Sequence, residues 1–145
     1  MSVTYVKGDL LDKRFKIIAH QCNCVSSSGS GLYSYIIGKY PWADIYQQRQ
    51  NYSTPGTILQ MNNIIHMFSQ YYPGGPNNKN DSKQLRLQWF KKCLDEISIL
   101  PIDNIAFPCY IGCGLARGNW DDYHDAIKMF AQNNTHIQVY IVKKE

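Results

Sequence analysis

Residues 105–120 read IAFPCYIGCGLARGNW. Ile105 to Cys109 is a short, mostly apolar run of strand composition, and Tyr110 to Gly114 interrupts it with two glycines. Asn119 then stands at a helix N-cap, with Asp121 and Asp122 in the first turn, where the helix dipole favours acidic side chains. Trp120, Tyr123, Ile127 and Phe130 follow at helical spacing and would bury one face. Strand, glycine loop and helix start in direct succession can hold a phosphate, because loop N–H groups converge on the positive end of the helix. One such loop is weak evidence.

A second one lies upstream. Phe15 to Ala19 (FKIIA) is an apolar run, residues 20–32 read HQCNCVSSSGSGL, and Leu32 to Tyr40 has helical composition up to Pro41, which a helix rarely passes. Gly29 and Gly31 let a ligand approach the main chain closely, and Ser26, Ser27, Ser28 and Ser30 add hydroxyl donors. No Gly-Lys-Ser/Thr follows, so this is not a Walker loop, and it lacks GxGxxG spacing. Taken alone, the stretch reads more readily as a flexible surface loop.

Strands are expected at Val3–Lys7, Thr57–Met61, Ile64–Phe68 and Ile137–Val142. A short helix is expected over Ala43–Asn51. A longer one is expected over Ser82–Ile99, with Leu85, Trp89, Cys93, Leu94 and Ile97 as its buried stripe and Asp81 or Ser82 as its cap. Tyr71 to Asp81 (YYPGGPNNKND) reads as irregular. Strands alternating with helices imply a mostly parallel sheet covered on both faces, with ligands at the carboxyl ends of the strands. No repeat or linker is visible, so residues 1–145 are expected to form one domain.

The chain has 145 residues, 44% of them hydrophobic and 18% charged, which suits a packed core and excludes a disordered protein. The formal net charge of +4 includes no basic run longer than two residues, so nucleic acid is not expected as a partner. A mild positive field would still help collect a small anion. The five cysteines, with no leader-like opening, suggest a reducing, cytoplasmic setting. Cys22-x-Cys24 has the wrong spacing for zinc and Cys109-x3-Cys113 lacks a second half, so no metal and no cofactor are expected. No apolar run reaches the roughly 20 residues of a membrane span.

Together these segments resemble the macrodomain family along nearly the whole chain. The resemblance rests on Tyr5-Val6-Lys7-Gly8-Asp9-Leu10-Leu11, His20-Gln21-Cys22-Asn23-Cys24, Gly29-Ser30-Gly31, Ile111-Gly112-Cys113-Gly114-Leu115, Trp120 and Val139-Tyr140-Ile141. It implies a three-layer α/β/α fold around a mixed, mostly parallel sheet of about six strands. The HQCNC segment looks most like the branch containing ADP-ribose 1″-phosphate phosphatases, with phage and other viral members.

The resemblance further implies that Asp9 accepts a hydrogen bond from an adenine amino group and that Leu10 borders the base. Asn23 would bind the distal ribose, and Ser28, Gly29, Ser30, Gly31 and Leu32 would wrap that ribose and its phosphate. Ile111, Gly112, Cys113, Gly114, Leu115 and Ala116 would cradle the diphosphate, and Tyr140 or its neighbours would flank the adenine. Each role has a rival: Asp9 could simply close a turn, Asn23 could satisfy loop backbone, and Tyr140 could be core. His20 reads either as a satisfied structural histidine or, with Asn23, as a catalytic group.

By this resemblance, the catalytic lysine and aspartate of the family's deglycosylase branches have no counterpart here. Gln70 and Ala116 stand at two of those places, and the third falls near Tyr33. An amide cannot form a Schiff base. The expected ligand is ADP-ribose or a derivative (its 1″-phosphate, or cyclic or conjugated ADP-ribose), bound by a monomer. The expected activity is phosphatase chemistry; the alternative is a non-catalytic binder of ADP-ribosylated targets, or a sponge for an ADP-ribose-derived signal. RNA binding is a third, weaker class.

Overall fold

The computed structural model describes residues 3–76 and 79–145. Two strands open the chain, β1 (Thr4–Lys7) and β2 (Ile18–Asn23). β2 lies downstream of the expected Phe15–Ala19 run, so the polar segment His20–Asn23 is strand rather than loop. It tolerates this because its polar side chains meet polar partners from β4 (Ile64–Gln70), the adjacent parallel strand.

Helix α1 (Leu32–Lys39) ends before Pro41, and a single 3₁₀ turn at Pro41–Ala43 leads to α2 (Ile45–Gln48). The helix expected over Ala43–Asn51 is thus only four residues long. Arg49 leaves it in an extended conformation and turns its guanidinium to the carbonyls of Asn23 and Cys24. β3 (Thr57–Met61) pairs antiparallel with β4 through a two-residue turn.

Ser82 caps α3 (Lys83–Ser98) by accepting from the Leu85 N–H at 3.1 Å. The face that α3 buries is Arg86, Phe90, Cys93, Leu94 and Ile97, one step round from the expected stripe, so Leu85 and Trp89 are only half-buried. An arginine occupies the core side because Asp81 meets it there. β5 (Asn104–Pro108), α4 (Trp120–Asn133) and β6 (Gln138–Lys143) complete the chain, and Asn119 caps α4 through the Asp121 N–H.

The sheet order is β1-β6-β5-β2-β4-β3, parallel throughout except between β3 and β4. One face packs against α3 and α4 through Phe90, Ile97, Ile127 and Phe130, and the other packs against α1 through Ile36. This is the three-layer α/β/α arrangement. β2 and β5 are neighbours, yet the chain leaves them toward opposite faces, which opens a crevice at their carboxyl ends. No helix among the described residues is long and apolar enough to cross a membrane.

Candidate functional site

A hollow of about 750 Å³ lies at the carboxyl ends of the strands. Gly8, Asp9 and Leu10 follow β1, Pro108 and Cys109 end β5, and Val142 and Lys144 come from the end of β6. Gly31, Leu32 and Tyr35 of the α1 start close the remaining side. A second cavity, about 690 Å³ between α3 and α4, touches neither glycine loop.

Asp9 closes the turn after β1 and also lines the hollow. Its Oδ1 accepts from the Leu11 N–H at 2.9 Å, closing the turn after β1, while Oδ2 accepts from the Tyr35 hydroxyl at 2.9 Å on the side of the hollow. Leu10 is buried in the core beside α1. Tyr140 packs edge-on to Phe15, 5.1 Å between centroids, within that same core. Val142, two residues along the same face, is the β6 residue that lines the hollow.

In the first loop, Gly31 has φ 59° at the N-cap of α1, and no side chain caps the helix, so its first-turn N–H groups remain open to a ligand. Gly29 is required by packing, since a Cβ there would stand 2.5 Å from the Tyr33 ring. Ser28 and Ser30 are exposed. Asn23 is buried, and its Oδ1 accepts from the N–H groups of Val25 and Ser26 at 3.1 and 2.8 Å. Its carbonyl oxygen therefore shapes the loop. Its Nδ2 donates to no partner among the described residues.

The second loop is wound into successive turns, with Cys113 N–H donating to the Tyr110 carbonyl at 2.9 Å and Gly118 N–H to that of Gly112 at 2.8 Å. Gly112 adopts φ 77°, and a Cβ there would meet the Tyr123 ring at 2.5 Å. Gly114 faces open space. Among the described residues, the N–H groups of Gly112, Gly114, Leu115 and Ala116 find no acceptor. Ile111 is core, Leu115 is 76% exposed, and the buried Ala116 offers its carbonyl to Arg86. None of these six lines the hollow itself; they continue the edge from Pro108 and Cys109.

Gln70 is buried at the end of β4. Its Oε1 accepts from Gln21 Nε2 at 2.5 Å, and its Nε2 donates to the Tyr72 carbonyl at 2.8 Å. The amide therefore serves as a structural link between β2, β4 and the turn that follows.

His20 lies away from the hollow. It is 1% exposed, and its Nε2 is 2.8 Å from Nδ1 of the equally buried His66, with Cys22 Sγ 3.5 Å from the same Nδ1. Burial, and then the neighbouring His66, hold the His20 pKa well below its ordinary value; burial likewise pulls His66 down to about 4 and pushes the Cys22 thiol up. Both shifts favour the uncharged imidazole. The geometry sets His20 against another imidazole and not against the hollow.

Sequence reasoning missed Tyr35 and Lys144 as lining residues. Tyr35 was legible in one respect, because it sits one turn after Leu32 on α1 and so shares its face.

The sheet order and its crevice define a class of three-layer α/β/α fold, and comparison with solved structures narrows it. The macrodomain of Mycobacterium tuberculosis DarG superposes with a TM-score of 0.68 at 20% identity, covering 97% of this chain and 96% of that one. Thermosipho africanus DarTG, solved in complex with ADP-ribose, superposes with a TM-score of 0.64 at 15% identity, covering 99% of this chain and 43% of that one. The chain has the macrodomain fold. It is also 26% identical over 140 residues to an uncharacterized 17.5 kDa protein in the tk-vs intergenic region of enterobacteria phage T4, covering 83% of this chain and 84% of that protein. No family model matches the sequence.

Proposed function

We propose that this chain, a single monomeric domain over residues 1–145, binds ADP-ribose or a close derivative in the hollow at the strand ends. The observation that carries the reading is the joining of Asp9, the uncapped start of α1 and the end of β5 around one hollow large enough for a nucleotide. Asp9 Oδ2 accepts from the adenine amino group, with Leu10 and Val142 against the base. N–H groups of Leu32, Gly112, Gly114, Leu115 and Ala116 donate to the diphosphate, whose charge the helix start and Lys144 favour. Asn23 Nδ2 donates to the distal ribose. The neighbour solved with ADP-ribose supports the ligand class.

Binding without turnover is the reading the site favours. Hydrolysis of ADP-ribose 1″-phosphate needs a proton-transfer group at the distal ribose. His20 is buried against His66, and Gln70 and Ala116 carry no acid or base. The phosphatase reading therefore rests on water held by Ser28, Ser30 and loop N–H groups. Calorimetric titration with ADP-ribose, beside phosphate release from its 1″-phosphate, tests both. Saturable 1:1 binding with no phosphate release supports the binder, steady release supports the phosphatase, and absence of binding refutes both.

A further inference from the structure

We infer that His20, Cys22 and His66 form a buried site for one monovalent soft metal ion, copper(I). This inference is independent of the nucleotide site. The three ligand-bearing side chains lie under α1 and α2, on the opposite side of the sheet from α3 and α4. His20 and His66 are register partners on neighbouring parallel strands, and Cys22 lies two residues along the same face of β2. Strand pairing, not sequence spacing, assembles the set, which is why spacing rules for metal motifs pass over it. Their ligand atoms all fall within 4.8 Å of one another, and all three residues are buried.

The distances suit a three-coordinate ion. Bonds of about 2.0 Å to nitrogen and about 2.3 Å to sulfur, arranged trigonally, place nitrogen and sulfur about 3.7 Å apart and the two nitrogens about 3.5 Å apart. Cys22 Sγ is 3.7 Å from His20 Nε2 and 3.5 Å from His66 Nδ1. The two nitrogens, 2.8 Å apart, must separate by about 0.7 Å on this geometry. Among the described residues His66 Nε2 is buried without a hydrogen bond of normal geometry, although the Ala43 backbone stands close to the ring.

Charge selects the ion. The donor set is one thiol, which binds a metal as thiolate, and two imidazoles, which bind as neutral ligands. Binding exchanges the thiol proton for the metal ion, the proton leaves to solvent, and no electron moves. A univalent cation therefore leaves the buried site as neutral as before. A divalent ion would leave a net positive charge in a buried site that already has the Arg49 guanidinium beside it, stacked over Tyr46 and Phe68. Zinc would also lack its usual fourth ligand, whereas mixed thiolate and imidazole donors suit copper(I).

The test uses the intact chain with Cys109→Ser and Cys113→Ser, which removes the two half-exposed thiols. Anaerobic loading with copper(I), then dialysis against a competing copper(I) chelator, is expected to leave one copper per chain. X-ray absorption of the wild-type ligand set should give one sulfur and two nitrogens. Cys22→Ser and His66→Gln should lose the copper, while Cys93→Ser, also buried but outside the cluster, keeps it. Four results would each overturn the site: no copper retained, retention undiminished in folded Cys22→Ser, a shell of two or more sulfurs, or zinc(II) retained in preference to copper(I). The absorption measurement needs no variant, so a misfolding substitution cannot shield the inference.

Discussion

Arg86 and Asp81 form a two-pronged ion pair inside the protein, Nε to Oδ1 at 2.9 Å and Nη2 to Oδ2 at 2.7 Å, with side chains 2% and 1% exposed. The same guanidinium donates to the carbonyls of Gly74 at 2.7 Å and Ala116 at 3.3 Å. It thereby ties the chain before α3 to the second glycine loop. Removing one member strands a buried charge, which typically costs about 3–5 kcal/mol. Arg86→Leu should lower unfolding stability by that amount in urea titration and loosen the second glycine loop. A loss below about 1 kcal/mol would show that the pair is relaxed by water.

The pair also marks the boundary of what the sequence shows. Asn119 and Ser82 were legible as caps, since a capping side chain acts within three residues of its own chain. The two glycine loops were legible because strand, loop and helix start are contiguous. The burial of Arg86 was not: Asp81 is only five residues away, but the carbonyls that complete the arginine's hydrogen bonding come from as far off as Ala116. His20 shows the same limit: a histidine on a strand reads alike whether it faces a ligand or another histidine 46 positions away. The placement of Val142 rather than Tyr140 at the hollow depends on where β6 ends against β1, which register fixes and local pattern does not.

Stability should depend on pH through the buried histidines. Unfolded imidazoles titrate near about 6.5, while His66 in the fold titrates near about 4 and His20 well below its ordinary value. Between those values the unfolded chain binds more protons, so stability is complete above about pH 6.5 and falls as pH drops toward 4. Each unit of depression is worth about 1.4 kcal/mol. Urea unfolding at pH 7 and pH 5 should show the loss, and His66→Gln should remove part of it. A flat profile would contradict the neutral pair.

Gly112 and Gly114 should respond differently to alanine. At Gly112 the left-handed backbone and the Tyr123 ring both oppose a Cβ, so Gly112→Ala should lower the melting temperature without ligand. Gly114 faces open space, so Gly114→Ala should fold with unchanged stability and lose affinity only through contact with the bound diphosphate. Thermal melts with and without ADP-ribose separate the two effects. Equal destabilisation by both variants would contradict this assignment.

Asp9→Ala should weaken ADP-ribose binding by about 1–3 kcal/mol, the usual cost of losing a charge-assisted hydrogen bond. Tyr35→Phe should change affinity less, because Tyr35 only shares Asp9 Oδ2 and its ring remains beside the hollow. Calorimetry on folded variants checks the order. Undiminished binding by Asp9→Ala would remove the adenine from the β1 end.

The most direct test of nucleotide binding at the strand ends is an amide NMR titration of the intact chain with ADP-ribose. The account predicts saturable shifts concentrated at Gly8–Leu11, Ser30–Tyr33 and Gly112–Ala116, with the α3–α4 groove around Leu87, Lys91 and Met129 unmoved. Shifts confined to that groove, or no shifts at millimolar nucleotide, would contradict it.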